Sequence, residues 1–194
     1  MTKIKICGIA TLDDAVEISR LGVNMLGFLE DPVSPRYVKT QFLRIVRRSV
    51  STPLVSVNVT RPLQVILENP YVDMVQVHRV LSEEELELAK SYSKKTILYV
   101  PSSERYLDYL RRVLDVTNMV LLDLERKGDR PNFDFLSKVL RDYPGLGVGG
   151  GISPDNVNDF LRLEPGWLDI SRGVEDYPGK KNLSKVRKIL EAIR

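Results

Sequence analysis

Eight short apolar runs divide the chain, and the stretches between them carry the spacing of amphipathic helices. The runs fall at residues 4–7, 25–29, 54–59, 74–78, 96–100, 119–123, 146–148 and 167–170. Most are continuously apolar rather than alternating, the pattern of strands covered on both faces. Helix signals sit in the intervals. Thr11 is placed to cap a helix carrying Leu12, Ala15 and Val16, and Ser82 with Glu85 forms a capping box before Leu86 and Ala89. Ser153-Pro154 supplies a cap and a first-turn proline ahead of Val157, Phe160 and Leu161, and Val186, Ile189, Leu190 and Ile193 recur at helical spacing near the end.

Strict strand-then-helix alternation implies parallel strands joined by right-handed crossovers. Eight such units predict a single (β/α)8 TIM barrel over residues 1–194. That length is slightly below the usual range for the fold, so loops and helices must be short. The alternative, an open flavodoxin-like sheet, normally uses fewer strands.

Composition narrows the function. A hydrophobic fraction of 43% with 28% charged residues is that of a globular protein. The net charge of +3 is spread along the chain, with no basic stripe interleaved with aromatics, so nucleic acid is not an expected partner. One cysteine excludes an internal disulfide framework and fits a reducing cytoplasm. No apolar stretch approaches the roughly 18 residues of a membrane helix, and the N-terminus lacks a signal-peptide core. A membrane is not expected, and the charge balance suits a small anionic substrate.

Barrel enzymes place reactive side chains where strands end and loops begin. Those positions here hold Cys7-Gly8, the loop 30–36 with Arg36, His78, Asp123, Gly149-Gly150-Gly151 and Ser171-Arg172-Gly173. Each has an ordinary alternative: Cys7 as a small core hydrophobe, His78 as a satisfied strand-end histidine, Asp123 as a cap, Arg36 as a surface charge, the glycines as turn formers. The ordinary alternatives do not account for their convergence on one rim.

Several separated motifs give these positions a family. They are Lys5-Ile6-Cys7-Gly8-Ile9, Gly27-Phe28 with Ser34-Pro35-Arg36-Tyr37-Val38, Asp73-Met74-Val75-Gln76-Val77-His78, and Leu121-Leu122-Asp123 with Phe133-Asp134. Downstream lie Gly150-Gly151-Ile152-Ser153-Pro154-Asp155-Asn156-Val157, Asp169-Ile170-Ser171, Gly173-Val174-Glu175 and Pro178-Gly179-Lys180. In order and spacing the chain resembles the phosphoribosylanthranilate isomerases of tryptophan biosynthesis. The resemblance implies an Amadori rearrangement of the aminoaldose N-(5-phosphoribosyl)anthranilate to its aminoketose, with Asp123 as general acid and Cys7 as general base. It implies Arg36 on the anthranilate carboxylate and the phosphate between Gly150, Gly151 and Ser171, Arg172, Gly173, with His78 also lining the site. It implies no metal or redox cofactor, and a monomer or homodimer. The expected chemistry makes Cys7 exposed and easily ionised, and Asp123 protonated through burial.

Four departures from the family pattern stand out. Residues 124–131, Leu124-Glu125-Arg126-Lys127-Gly128-Asp129-Arg130-Pro131, are charged where a glycine-rich stretch is usual; Arg172 replaces a serine; Arg79 replaces a glycine; and the third strand ends Ser56-Val57-Asn58-Val59-Thr60. Arg172, Lys127 or Arg130 would then supply charge to the phosphate. The competing expectation is a divergent barrel paralogue acting on, or only binding, another phosphosugar.

Overall fold

The computed structural model describes residues 2–126 and 128–193, with Lys94 by its backbone alone. Eight strands close into a barrel in chain order: β1 (Lys3–Ile6), β2 (Met25–Leu29), β3 (Leu54–Asn58), β4 (Met74–Val77), β5 (Thr96–Pro101), β6 (Val120–Asp123), β7 (Gly147–Val148) and β8 (Trp167–Ile170). All neighbouring barrel strands pair in parallel, and β1 closes on β8 over four residue pairs. The helices between and after them are α1 (Leu12–Arg20), α2 (Thr40–Arg47), α3 (Leu63–Leu67), α4 (Glu83–Lys90), α5 (Leu107–Leu114), α6 (Phe133–Asp142), α7 (Val157–Leu161) and α8 (Leu183–Ala192). The expected barrel is present, and its helices are as short as the chain length requires.

Local signals act largely as read. Thr11 accepts a hydrogen bond from the Asp14 amide and caps α1, and Ser82 and Glu85 form the full capping box of α4. The expected start of α7 is corrected. Ser153-Pro154 belongs to a turn, and α7 begins at Val157 after Asn156. Proline at 154 still initiates the turn, because the Asn156 and Val157 amides both donate to the Ser153 carbonyl. A feature not expected from sequence is an antiparallel hairpin, β9 (Glu175–Tyr177) and β10 (Lys180–Lys181), inserted between β8 and α8.

Strand alternation separates two buried regions. One set of side chains packs between barrel and helices, including Ile4, Ile6, Leu26, Phe28, Val77, Leu122, Leu168 and Ile170. The other fills the barrel itself: Met25, Val55, Val57, Ile97, Leu121 and Trp167, with Cys7 at the top of this layer. Trp167 occupies the floor because β7 offers Gly147 beside it; a Cβ there would stand 2.1 Å from the indole. Charge enters the interior at one level. Lys5 pairs in register with Asp169 across the β1–β8 seam, and its ammonium donates to both carboxylate oxygens at 2.9 and 3.0 Å.

Candidate active site

The C-terminal mouth of the barrel opens into a cavity of about 360 Å³ lined by Cys7, Arg36, His78, Asp123, Gly150, Gly151, Ser171, Arg172 and Gly173. The two residues expected to be catalytic and the seven expected to bind substrate therefore meet in one cavity. Leu29, Val33, Val57, Val59, Leu124 and Ile152 give it an apolar side, and Gln76, Arg126 and Asp169 add polar groups.

Cys7 follows β1 rather than ending it, but its amide still donates to the Ile170 carbonyl, so the ladder fixes its backbone. Its side chain faces Gly27. A Cβ at Gly27 would lie 2.9 Å from the Cys7 sulfur and 3.1 Å from Lys5 Cε, so the missing side chain makes room for both. The expectation of an exposed, easily ionised thiol is corrected. Cys7 is only 6% exposed, and burial pushes its pKa up, with Lys5 and Lys181 opposing the rise. Burial also works against the Lys5 ammonium, but Asp169, with Cys7 beside it, outweighs that and holds Lys5 above the usual lysine value.

Asp123 ends β6 and faces Gly149, where a Cβ would stand 2.8 Å from its carboxyl carbon. Burial, reinforced by the neighbouring Asp169 charge, raises its pKa to about 7, against a lowering by the Leu124 amide, which donates to Oδ1 at 2.7 Å. The Asp123 carboxyl is thus partly protonated near neutral pH. His78 stands 3.8 Å away, Nε2 to Asp123 Oδ2, stacked on Tyr99 with ring centroids 4.3 Å apart and in contact with Gln76 through Nδ1. Burial lowers the imidazole to about pKa 4, so it stands neutral beside Asp123 and does not draw off the carboxyl proton.

Arg36 is reached from the loop after β2, and its stem crosses Gly8, whose φ of +78° and lack of a side chain leave that path open; a Cβ would stand 2.5 Å from Arg36 Cδ. Its Nε and Nη2 donate to Glu175 at 2.8 and 2.6 Å, a bidentate pair not foreseen from sequence. Gly150 and Gly151 lie on the loop after β7, and a single 3-10 turn, Arg172–Val174, follows β8. Among the described residues the amides of Gly150, Gly151, Arg172 and Gly173 donate to no other residue. Arg172 is exposed at the rim, and its charge reaches Asp123.

The departures sort by position. Arg126 lines the cavity, Arg130 is exposed and does not line it, and Lys127 lies outside the described residues. Arg79 turns away to Glu85, with donors at 2.8 and 2.5 Å. Among the described residues no helix is long and apolar enough to cross a membrane.

Sequence comparison now decides the family. The model of the N-(5'-phosphoribosyl)anthranilate isomerases matches residues 4–192. The chain belongs to that family. It is 49% identical to the N-(5'-phosphoribosyl)anthranilate isomerase of Saccharolobus solfataricus, covering 100% of this chain and 97% of the relative, and 45% identical to that of Sulfolobus acidocaldarius with the same coverage. A solved phosphoribosyl anthranilate isomerase in complex with reduced 1-(o-carboxyphenylamino)-1-deoxyribulose 5-phosphate superposes with a TM-score of 0.82 at 27% identity, over 99% of this chain and 98% of that one. Membership makes the chain an isomerase of tryptophan biosynthesis, in agreement with the resemblance read from its motifs.

Reading by sequence missed Lys5, Gln76, Asp169, Glu175 and Lys181. One signal was available: lysine and aspartate inside the runs at 4–7 and 167–170, where strands covered on both faces otherwise exclude charge.

Proposed function

We propose that this cavity isomerises N-(5-phosphoribosyl)anthranilate with Asp123 as general acid and Cys7 as general base. The observation that carries the assignment is a carboxyl with a pKa of about 7 lining the same cavity as the chain's single thiol. Asp123 gives its proton to the ribose ring oxygen as the C1–O bond breaks, and the anthranilate nitrogen supplies the electrons that make the Schiff base. The Cys7 thiolate then removes the proton on C2, giving an enolamine that tautomerises to the aminoketose. Nothing in this sequence of steps requires electron transfer.

The remaining residues bind. The edge of Arg36 not engaged by Glu175 meets the ring carboxylate, and Leu29, Val33, Val57 and Val59 offer the ring an apolar wall. The free amides of the loops after β7 and β8 receive the phosphate, and Arg172 adds a cation at the same rim. This arrangement favours the standard substrate over another phosphosugar, because a guanidinium and an apolar wall both address the anthranilate ring.

One assay tests the assignment: loss of phosphoribosylanthranilate fluorescence, with substrate generated in situ. Cys7→Ser and Asp123→Asn are each expected to lower kcat by ~10²–10⁴-fold, and Arg172→Ser to raise KM about tenfold with kcat little changed. Near-normal kcat in either of the first two variants would remove that residue from the chemistry.

A further inference from the structure

Among the described residues Lys181 is, like Lys5, a buried lysine, but it lies outside the barrel, on the hairpin after β8. Its ammonium has three acceptors: the Cys7 carbonyl at 2.5 Å, Glu175 Oε1 at 2.8 Å and the Ser171 carbonyl at 3.3 Å. Glu175 in turn accepts from Arg36 Nε and Nη2 and from the Gly179 amide, at 3.3 Å. One buried ion pair thus joins the backbone of the proposed base, the backbone of the phosphate loop and the guanidinium assigned to the ring carboxylate. Neither Glu175 nor Lys181 lines the cavity.

The pair is itself held from behind. Asp14, which is buried at the start of α1, accepts from the Lys181 amide at 3.0 Å and from the Lys180 side chain. Gly179 closes the hairpin against Ala10 and beside the Pro35 carbonyl, so the hairpin is wedged between the loops that follow β1 and β2. Desolvating two charges costs several kcal/mol per ion, and hydrogen bonds to every remaining donor and acceptor are what make such a pair tolerable. A hairpin serving packing alone would be satisfied more cheaply by apolar side chains of similar size.

We infer that Glu175 and Lys181 are a positioning couple for the isomerase reaction. Glu175 occupies the Nε/Nη2 edge of Arg36 and leaves the Nη1 end as the only edge that can meet a carboxylate, in a fixed direction. Substrate binding then does not have to order the arginine, which is where pre-organisation lowers KM. Lys181 ties this same carboxylate to Cys7 and Ser171, so that carboxylate clamp, base and phosphate loop keep one spacing. The inference rests on the assignment of Arg36 to the ring carboxylate.

The experiment compares two substrates, phosphoribosylanthranilate and N-(5-phosphoribosyl)aniline, which lacks the carboxylate. Glu175→Gln is expected to raise KM for the first about tenfold, as for loss of one charge-assisted hydrogen bond, with kcat within a few-fold, and to leave KM for the aniline compound unchanged. A fall in KM would mean that Glu175 competes with substrate for Arg36, and equal changes for both substrates would mean a merely structural role; either overturns the couple. Lys181→Met is expected to lower kcat for both substrates, and retained kcat removes the tie to Cys7. Should that variant not fold, the double replacement Glu175→Gln/Lys181→Met, which buries no unpaired charge, is measured in its place. Arg36→Gln separates the premises. If it weakens both substrates equally, the assignment of Arg36 fails; if it weakens only the carboxylate-bearing one while Glu175→Gln changes neither, the couple alone fails.

Discussion

At the scale of single residues, the proposed acid and the proposed base stand in the less usual order. Asp123 loses its proton at about pH 7, while burial holds the Cys7 thiol above its ordinary value. The proposed reactive form carries a protonated Asp123 and an ionised Cys7, and between the two pKa values it is the minor protonation state of the enzyme. As pH rises towards 7, thiolate increases while the carboxyl is still protonated, so kcat/KM rises. Above 7 the gain in thiolate and the loss of carboxylic acid cancel until the thiol has titrated, and activity then falls. The expected profile is a rise to about pH 7, a plateau and an alkaline decline whose midpoint equals the pKa of Cys7. That second value is open to direct measurement, because the chain has one cysteine and the pH dependence of its alkylation by iodoacetamide reports on Cys7 alone. Lys5, buried beside the thiol, is the cation that most opposes its elevation. Replacing it with methionine, together with Asp169→Asn to avoid an unpaired buried carboxylate, should move the alkylation midpoint upward and the alkaline limb with it. Loss of the Asp169 charge acts on the thiol in the opposite direction, so a midpoint that does not move would show that the effect of Lys5 is no larger than that of Asp169.

At the scale of elements, one residue that departs from the family pattern, Arg79, is absorbed locally before it reaches the site. Arg79 takes the position of a glycine at the end of β4, and its guanidinium is drawn to Glu85, which also closes the capping box on Ser82. The carboxylate of Glu85 sits below its ordinary pKa because Arg79 hydrogen-bonds to it, against the opposing effect of burial. Arg79 is therefore part of the α4 N-terminus and not of the cavity, which it does not line. Arg79→Gly should leave kcat and KM for phosphoribosylanthranilate unchanged and cost under about 1 kcal/mol, the range of a partly exposed ion pair. Ser82→Ala should cost about 1 kcal/mol, the usual loss for a helix N-cap. Urea unfolding and steady-state kinetics check both, and a changed KM in Arg79→Gly would place this arginine at the substrate. The same distinction explains what was legible in the sequence. The capping box is spelled in four consecutive positions, and the strands in continuous apolar runs, so both are read directly. The hairpin at 175–181 has no such signature: its two strands are three and two residues long, and it is held by contacts to Asp14 and Cys7, more than 160 positions away in the chain.

At the scale of the whole molecule, long-range register is what turned recognisable strands into a site. Cys7, Arg36 and Asp123 were legible because strand ends converge on one rim in any such barrel. Lys5 and Asp169 were not, because their partnership depends on how β1 meets β8 at closure. The pairing of β4, β5 and β6 places His78 and Asp123 together, and their protons then act on global stability with opposite signs. His78 binds its proton more weakly folded than unfolded, about 4 against 6.5, so its contribution is full above pH 6.5 and is lost as pH falls towards 4. Asp123 binds its proton more tightly folded, about 7 against 3.8, so its contribution is full below pH 3.8 and is lost as pH rises towards 7. Shifts of this size correspond to at most about 3–4 kcal/mol each, reduced by the partial exposure of both side chains. Across pH 4–7 the two slopes largely cancel in the parent protein, and single variants should uncover them. Asp123→Asn removes the carboxyl and leaves a protein that weakens as pH falls from 6.5 to 4. His78→Gln leaves the carboxyl and should give a protein that weakens as pH rises from 4 to 7. Urea midpoints measured at half-unit steps distinguish these outcomes, and parallel curves for the two variants would mean that neither proton is linked to folding as the buried site requires.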